Sequence, residues 1–273
     1  MTPFACSVHT HSTLCDGKAS LEEMVAAAYA AGVKCYGVSC HSHTPIPLDE
    51  GGVLPADMTE YRSTVLRLRE QYAGGMDILL GLEWDSCADV EPVGFDYWIG
   101  SVHYQRAPDG AYYTTDWDDE KFLLCLNEGC GGDAMAVVAR YYEEAARVAQ
   151  KKPTILGHFD GIVKLNQGNK YFDEESPRYQ ELALEALHCA DPHESLLEIN
   201  TGGMFKHYRR SPYPAKFLLE EWRAMGGRII ITSDAHAAAG ILFGYQDAID
   251  LARSAGFTHS VLLTPKGPLE CPL

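Results

Sequence analysis

Metal-binding side chains recur just after successive β-type runs in this chain, and that placement constrains the fold more than any other feature. Seven runs read as strands: Phe4 to Val8, Cys35 to Ser39, Asp77 to Leu82, Tyr97 to Val102, Thr154 to Gly157, Ser195 to Ile199 and Arg228 to Thr232. His259 to Leu263 is a candidate eighth. His9 and His11 follow the first run, His41 the second, Glu83 the third, His103 the fourth, His158 the fifth, and Asp234 with His236 the seventh. Between the runs lie amphipathic stretches. The first has Ser20 and Glu23 at capping-box spacing, an apolar stripe of Leu21, Met24, Val25 and Ala28, and Gly32 as its stop. Similar stripes run through Met58 to Tyr72, Ala134 to Ala149, Gln180 to Ala190, Ala215 to Met225 and Tyr245 to Ala255. Strand and helix in steady alternation predict an α/β fold with a parallel sheet, and this many units favour a closed or nearly closed TIM-like barrel over an open doubly wound sheet. In such a barrel the C-terminal strand ends converge on one face, so residues more than 200 positions apart would meet in one pocket.

Composition bounds the rest. With 273 residues and 46% hydrophobic content, the chain suits one domain spanning 1–273 with a full core. Its net charge of −16 would repel a polyphosphate backbone, which argues against duplex nucleic acid as a partner. The apolar run from Met24 to Val33 is broken by Lys34, short of the roughly 18 residues a membrane span needs. The opening residues Met1 to Cys6 lack a basic start and a signal-type apolar stretch, so a cytoplasmic protein is expected. Nine cysteines with no C-x-x-C pair read as buried or free thiols rather than a disulfide framework. The loop-like stretches Ser42 to Asp57, Gln105 to Asp118 and Leu165 to Ser176 are long enough to roof a site. Oligomeric state has no signature in the sequence.

His9 and His11 sit at i and i+2 of extended chain, so both imidazoles face the same side and can bind one ion. Asp16 lies in the turn that follows and reads equally as a ligand or as a plain turn aspartate before Gly17; its position after H-x-H favours the ligand. Glu83 ends an apolar run, where a carboxylate at the barrel mouth would bridge two cations. His43 follows His41 by two and competes with it as ligand or meets the substrate, with His41 preferred as the closer to the strand end. His188, His193, His207 and His259 fall outside the pattern and read as solvated or core residues.

Imidazole and carboxylate ligands without a thiolate set suit Zn, Mn or Fe, and eight or nine such groups exceed what one ion needs. Two or three divalent cations sharing a carboxylate would hold a hydroxide at neutral pH and clamp a phosphoryl oxygen, the chemistry of phosphoester hydrolysis on a small phosphorylated substrate. No G-x-S-x-G elbow or C-x5-R loop supports a covalent route. The leaving alkoxide takes its proton from Asp234, His236 or a bound water. Amidohydrolase chemistry on a similar barrel is an alternative, but its usual bridging lysine is replaced here by Glu83. A non-catalytic metal-binding module is the remaining class.

The ordered set resembles the polymerase and histidinol phosphatase (PHP) superfamily, and within it the histidinol-phosphatase branch. Gly100-Ser101-Val102-His103, Gly157-His158-Phe159-Asp160, Leu197-Glu198-Ile199-Asn200-Thr201 and Thr232-Ser233-Asp234-Ala235-His236 look like blocks of that branch. The resemblance implies a distorted (β/α)7 barrel with a trinuclear divalent-metal centre and hydrolysis of L-histidinol phosphate to L-histidinol and phosphate, a step of histidine synthesis. It puts the nine metal-ligand positions on His9, His11, Asp16, His41, Glu83, His103, His158, Asp234 and His236. By that analogy His9, His11, Glu83 and Asp234 hold one ion, Glu83 bridges to a second held by His103 and His158, and Asp16, His41 and His236 hold the third. Catalytic roles fall to Glu83, Asp234 and His236. Three departures stand out. Cys40 replaces the acid usual before the second-strand histidine, and Val163 and Phe205 occupy positions where relatives commonly carry arginines. Lys164 and Lys206, adjacent to those positions, and Arg209 and Arg210 are the candidate phosphate contacts. The changed positions leave open another small phosphate, a phosphotyrosyl protein or a nucleotide end as substrate.

Overall fold

The computed structural model describes residues 1–273 apart from Leu48, Glu50, Pro55, Ala56, Pro108 and Asp109, so the loop readings at those six positions lie outside the described residues. In chain order the elements are β1 (Cys6–Ser7), α1 (Leu21–Ala30), β2 (Cys35–Val38), α2 (Met58–Gln71), β3 (Asp77–Asp85), β4 (Tyr97–Ser101), β5 (Tyr104–Arg106), β6 (Tyr112–Thr114) and α3 (Asp119–Leu124). There follow α4 (Ala134–Gln150), β7 (Ile155–Leu156), α5 (Pro177–Leu187), β8 (Leu196–Asn200), α6 (Gly202–Phe205), α7 (Lys216–Ala224), β9 (Arg228–Thr232), α8 (Tyr245–Ser254), β10 (His259–Thr264) and β11 (Gly267–Pro272).

Seven strands form one parallel sheet in the order β1-β2-β3-β4-β7-β8-β9. The sheet closes just beyond its first and last strands, where Thr10 bridges Ala235 in parallel, His11 N donates to Ala235 O at 2.9 Å and Ala235 N donates to His9 O at 3.1 Å. The outcome is the nearly closed barrel that the alternation predicts, in the (β/α)7 form that the family resemblance implies. The helices cover its outside: Leu82, Leu197, Ile229 and Ile231 pack with the apolar faces of α4, α5, α7 and α8, and Tyr36, Val38, Ile78 and Leu80 pack with α1 and α2. The capping box of α1 forms as read, Ser20 Oγ accepting from Glu23 N at 3.2 Å and Glu23 Oε2 accepting from Ser20 N at 2.8 Å.

The candidate eighth strand does not join the barrel. β10 pairs antiparallel with β11 across the two-residue turn Pro265–Lys266, and the hairpin plugs the N-terminal end. Val261, Leu262, Leu263 and Cys271 bury there with Val8, Leu79, Tyr97, Ile99, Ile155, Leu196 and Ile230. The lower interior is thus apolar. It is also tight: Tyr97 lies across it with its hydroxyl on Val8 O at 2.5 Å, and a Cβ at Gly37 or Gly81 would overlap the Tyr97 ring.

Three further boundaries differ from the sequence reading. The third strand runs on to Asp85, so Glu83 lies inside it rather than after it. The first run is shortened because Pro3–Ala5 form a 3-10 turn, proline fixing φ at its first position. The stretch read as a loop from Gln105 contains a small antiparallel hairpin, β5 with β6, followed by the short helix α3 with Asp118 as its N-cap and a π-type turn over Cys125–Gly129. No single helix among the described residues is long and apolar enough to cross a membrane.

Gly81→Ala should lower stability by about 1–3 kcal/mol, the usual cost of overpacking a filled core, read as a shifted urea midpoint at unchanged m. An unchanged midpoint would mean that Tyr97 moves aside freely.

Candidate metal centre

The upper half of the barrel is as polar as the lower half is apolar. Along β3, Leu79, Gly81 and Glu83 alternate onto the inner face, so the same period that buries Leu79 in the plug carries Glu83 up to the mouth, 1% exposed. Its two oxygens face opposite ways. Oε2 stands 3.1 Å from His9 Nε2, 3.3 Å from His11 Nε2 and 3.0 Å from His41 Nδ1, while Oε1 stands 2.9 Å from His158 Nε2 and 3.4 Å from His103 Nε2. Asp234 Oδ1 completes the seam side at 3.1 Å from His11 Nε2 and 3.3 Å from His236 Nδ1. Its backbone has φ 47°, a left-handed conformation uncommon outside glycine. Asp16, in the turn beyond the H-x-H, reaches His236 at 3.1 Å, His41 at 3.5 Å and His11 at 3.7 Å. The nine candidate ligands therefore come together: Asp16, His41, Glu83, His103, His158, Asp234 and His236 line one cavity of about 300 Å3, and His9 and His11 stand buried beside it, grouped with Glu83 and Asp234.

Four buried atoms in this cluster, His9 Nε2, His11 Nε2, Glu83 Oε2 and Asp234 Oδ1, have no hydrogen-bond partner although each lies within 3.6 Å of another of the four. Buried polar atoms left so are costly. Their convergence, from nitrogen and oxygen donors of the type that hold Zn, Mn or Fe, fits a cation. His11, Asp16, His41 and His236 form one group with donor atoms mutually within 4.8 Å; His9, His11 and Asp234, then His9, Glu83 and His158, then His41, Glu83 and His103 form three more. The buried clusters suggest multiple metal sites.

A layer behind them fixes the rings. Glu198, inward-facing on β8 and fully buried, accepts from His9 Nδ1 at 2.5 Å, His158 N at 2.6 Å, Thr232 Oγ1 at 2.7 Å and Asn200 Nδ2 at 3.0 Å. Asp85 meets His103 Nδ1 at 3.2 Å and accepts from His103 N at 2.8 Å. The His236 ring meets Asp234 O through Nδ1 at 3.0 Å. Neither Glu198 nor Asp85 was assigned a role from sequence; an acid at an inward position of an otherwise apolar strand was the available signal for Glu198.

Burial alone would lower the His9 imidazole, but the Glu198, Glu83 and Asp234 carboxylates around it hold it well above the ordinary histidine value. His41 is likewise raised, against burial, to about 9 by Glu83 and Asp16. Conversely Glu83, which burial would raise, is held well below the usual carboxylate range by His41, His9 and His103, and Asp234 by His9 and Lys206. The acids are therefore ionised at neutral pH, while several imidazoles must give up a proton to take a cation.

The candidate substrate contacts separate. Lys164 and Lys206 both line the cavity. Lys164 is paired with Asp116 at 3.3 Å, whereas Lys206 Nζ lies 3.4 Å from His236 Nε2 and enters no ion pair with a described acid. Arg209 is turned away in a two-pronged pair with Glu174, each contact 2.8 Å, and onto Val163 O at 3.0 Å; Arg210 is exposed. His43 pairs with Asp89 at 2.8 Å and does not line the cavity. Val163 is a core residue and Phe205 packs on Phe243, so neither position presents a cation to the cavity.

A model of the PHP domain matches residues 7–202. The chain is 27% identical over 217 residues to the histidinol-phosphatase of Bacillus subtilis, covering 74% of this chain and 79% of that one. It is 28% identical over 264 residues to the probable histidinol-phosphatase of Deinococcus radiodurans, covering 92% and 94%. The fold is that of the histidinol phosphate phosphatase of Lactococcus lactis, solved with zinc, L-histidinol and phosphate, at a TM-score of 0.67 and 18% identity over 96% of this chain and 98% of that one. The chain belongs to the PHP domain family. Within it, the chain resembles the histidinol-phosphatases.

Because cations displace protons here, zinc affinity should rise with pH through neutrality and go on rising to about 9, where His41 gives up its proton. Titration calorimetry in buffers of different ionisation enthalpy reads the protons released. Glu198→Ala should weaken zinc binding by about 10- to 100-fold although Glu198 touches no cavity, because His9 loses its fixed tautomer.

Proposed function

We propose that this chain is a metal-dependent phosphomonoesterase that hydrolyses L-histidinol phosphate to L-histidinol and phosphate. The observation that carries the reading is the convergence of four unpartnered buried ligand atoms, of His9, His11, Glu83 and Asp234, on one another, in a chain whose relatives are named histidinol-phosphatases. His9, His11, Glu83 and Asp234 would hold one divalent ion, Glu83 with His103 and His158 a second, and Asp16, His41 and His236 a third. Such ions supply Lewis-acid polarisation of a phosphoryl oxygen and lower the pKa of water to near neutrality. The remaining work falls to the chain. Glu83, with one oxygen on each side, fixes the spacing of the two halves of the centre. Lys206 binds a phosphate oxygen as a point charge beside His236. Asp234 and His236 stand 3.3 Å apart on the cavity wall; with Asp234 ionised, the pair would orient a water that gives its proton to the leaving alkoxide.

One observation favours a second reading, a PHP-type phosphomonoesterase acting on another small phosphate. Val163 and Phe205 offer no guanidinium, and the Lys164 charge is offset by Asp116. Phosphate release from L-histidinol phosphate, set beside a generic aryl phosphate with protein loaded with Mn or Zn, separates the two. A large preference for L-histidinol phosphate supports the first reading and a preference for the aryl ester the second.

Glu83→Gln should strip metal and nearly abolish turnover, while His188→Ala, whose imidazole is exposed and bonded to Glu221, should leave both unchanged. Lys206→Met should raise KM more than it lowers kcat; an unchanged KM removes Lys206 from the phosphate site.

A further inference from the structure

Two histidines of the H-x-H motif point an unpartnered Nε2 into the cluster, and each needs something to fix its other nitrogen. For His9 that is the Glu198 carboxylate. For His11, fully buried, the hydrogen-bonded neighbour of Nδ1 is the thiol of Cys15, with Sγ at 3.6 Å; the Asp16 carboxylate faces the same nitrogen from 3.7 Å, beyond hydrogen-bond reach, with its nearer contact on His236 at 3.1 Å. The same sulfur lies 3.4 Å from Ser12 O, an acceptor that can only take the S–H proton. The sulfur lone pairs are then left to accept, and the donor beside them is Nδ1–H of His11. A proton on Nδ1 leaves the Nε2 lone pair facing Glu83 Oε2 at 3.3 Å and Asp234 Oδ1 at 3.1 Å, as a ligand must. Ser12 cannot take over, since its hydroxyl is engaged with Cys40 Sγ at 3.2 Å and Leu14 N at 3.3 Å.

We infer that Cys15 is the positioning residue of His11, a thiol that accepts a hydrogen bond from Nδ1–H, donates its own S–H to Ser12 O, and so sets the tautomer in which His11 Nε2 is offered to the metal. The inference rests on the cluster being a metal centre. It makes the two histidines of one motif unequal: a carboxylate behind His9 strengthens that ligand, while a weakly accepting thiol behind His11 strengthens its ligand less.

The test is made on the full chain. Long-range 1H–15N spectra of the zinc-loaded wild type, with His11 identified by its loss in His11→Gln, should show the His11 proton on Nδ1. Zinc affinity, measured by competition with a chromophoric chelator, should fall about 10-fold in Cys15→Ala and return to within about 3-fold of wild type in Cys15→Ser, which restores a donor and acceptor. Melting of the metal-free proteins separates loss of ligand orientation from loss of fold. Should Cys15→Ala not fold, the wild-type spectrum and Cys15→Ser still decide. A His11 proton on Nε2, or unchanged affinity in Cys15→Ala, overturns the Cys15 role while leaving the metal centre standing. A wild type that takes up no zinc, manganese or iron defeats both.

Discussion

The parallel bridge between Thr10 and Ala235 is the contact on which the rest depends, because it joins the first and last strands and its flanking residues are His9, His11, Asp234 and His236. Closure of the barrel and assembly of the seam side of the centre are therefore one event. With the bridge open, the four side chains would lie at opposite edges of a sheet. A cation bound between them would act as a clasp on the seam, since anything that binds the closed state alone adds to its stability by mass action.

The barrel interior is divided by height. Below, Leu79, Tyr97, Ile99, Ile155, Leu196 and Ile230 exclude water; above, Glu83, Glu198 and Thr232 stand at inward positions of the same strands. Burying two carboxylates in one barrel is tolerable only because each is surrounded by donors: Glu198 accepts four hydrogen bonds, and Glu83 faces five imidazole rings. The apolar floor holds these groups in a medium where an unpaired charge would be severely penalised, so the carboxylates must be matched by imidazolium protons or by a cation.

The alternation of strand and helix and the eight ligand-type residues that follow the strand runs were legible because both depend on local pattern: period two, period 3.6, and residue type at the point where one gives way to the other; Asp16, in a turn, joined them through the family resemblance. Boundaries were lost where polar residues continue a strand. The apolar run ends at Leu82, yet pairing of Glu83-Trp84-Asp85 with Ile99 to Ser101 carries the extended chain through Asp85. Val261 to Leu263 have the composition of a barrel strand, and only the short return through Pro265 and Lys266 commits them to a hairpin instead. The supporting layer was not legible, since the roles of Glu198, Asp85 and Cys15 follow from which ring each meets across 4 to 189 positions of sequence. Nor could sequence tell Lys164 from Lys206, whose difference is a partner on β6's far side, Asp116, that no spacing rule connects to either.

The β10–β11 hairpin has a consequence for traffic. With the N-terminal end stoppered and the cluster at the C-terminal end, substrate and both products must share one doorway. A phosphate ester bound with its phosphoryl group on the cluster and its alcohol toward the mouth would release the alcohol first, because the phosphate lies behind it. Inorganic phosphate would then compete with the incoming ester for the empty site, whereas the alcohol, departing from a complex that still holds phosphate, would slow turnover by rebinding at a different stage of the cycle.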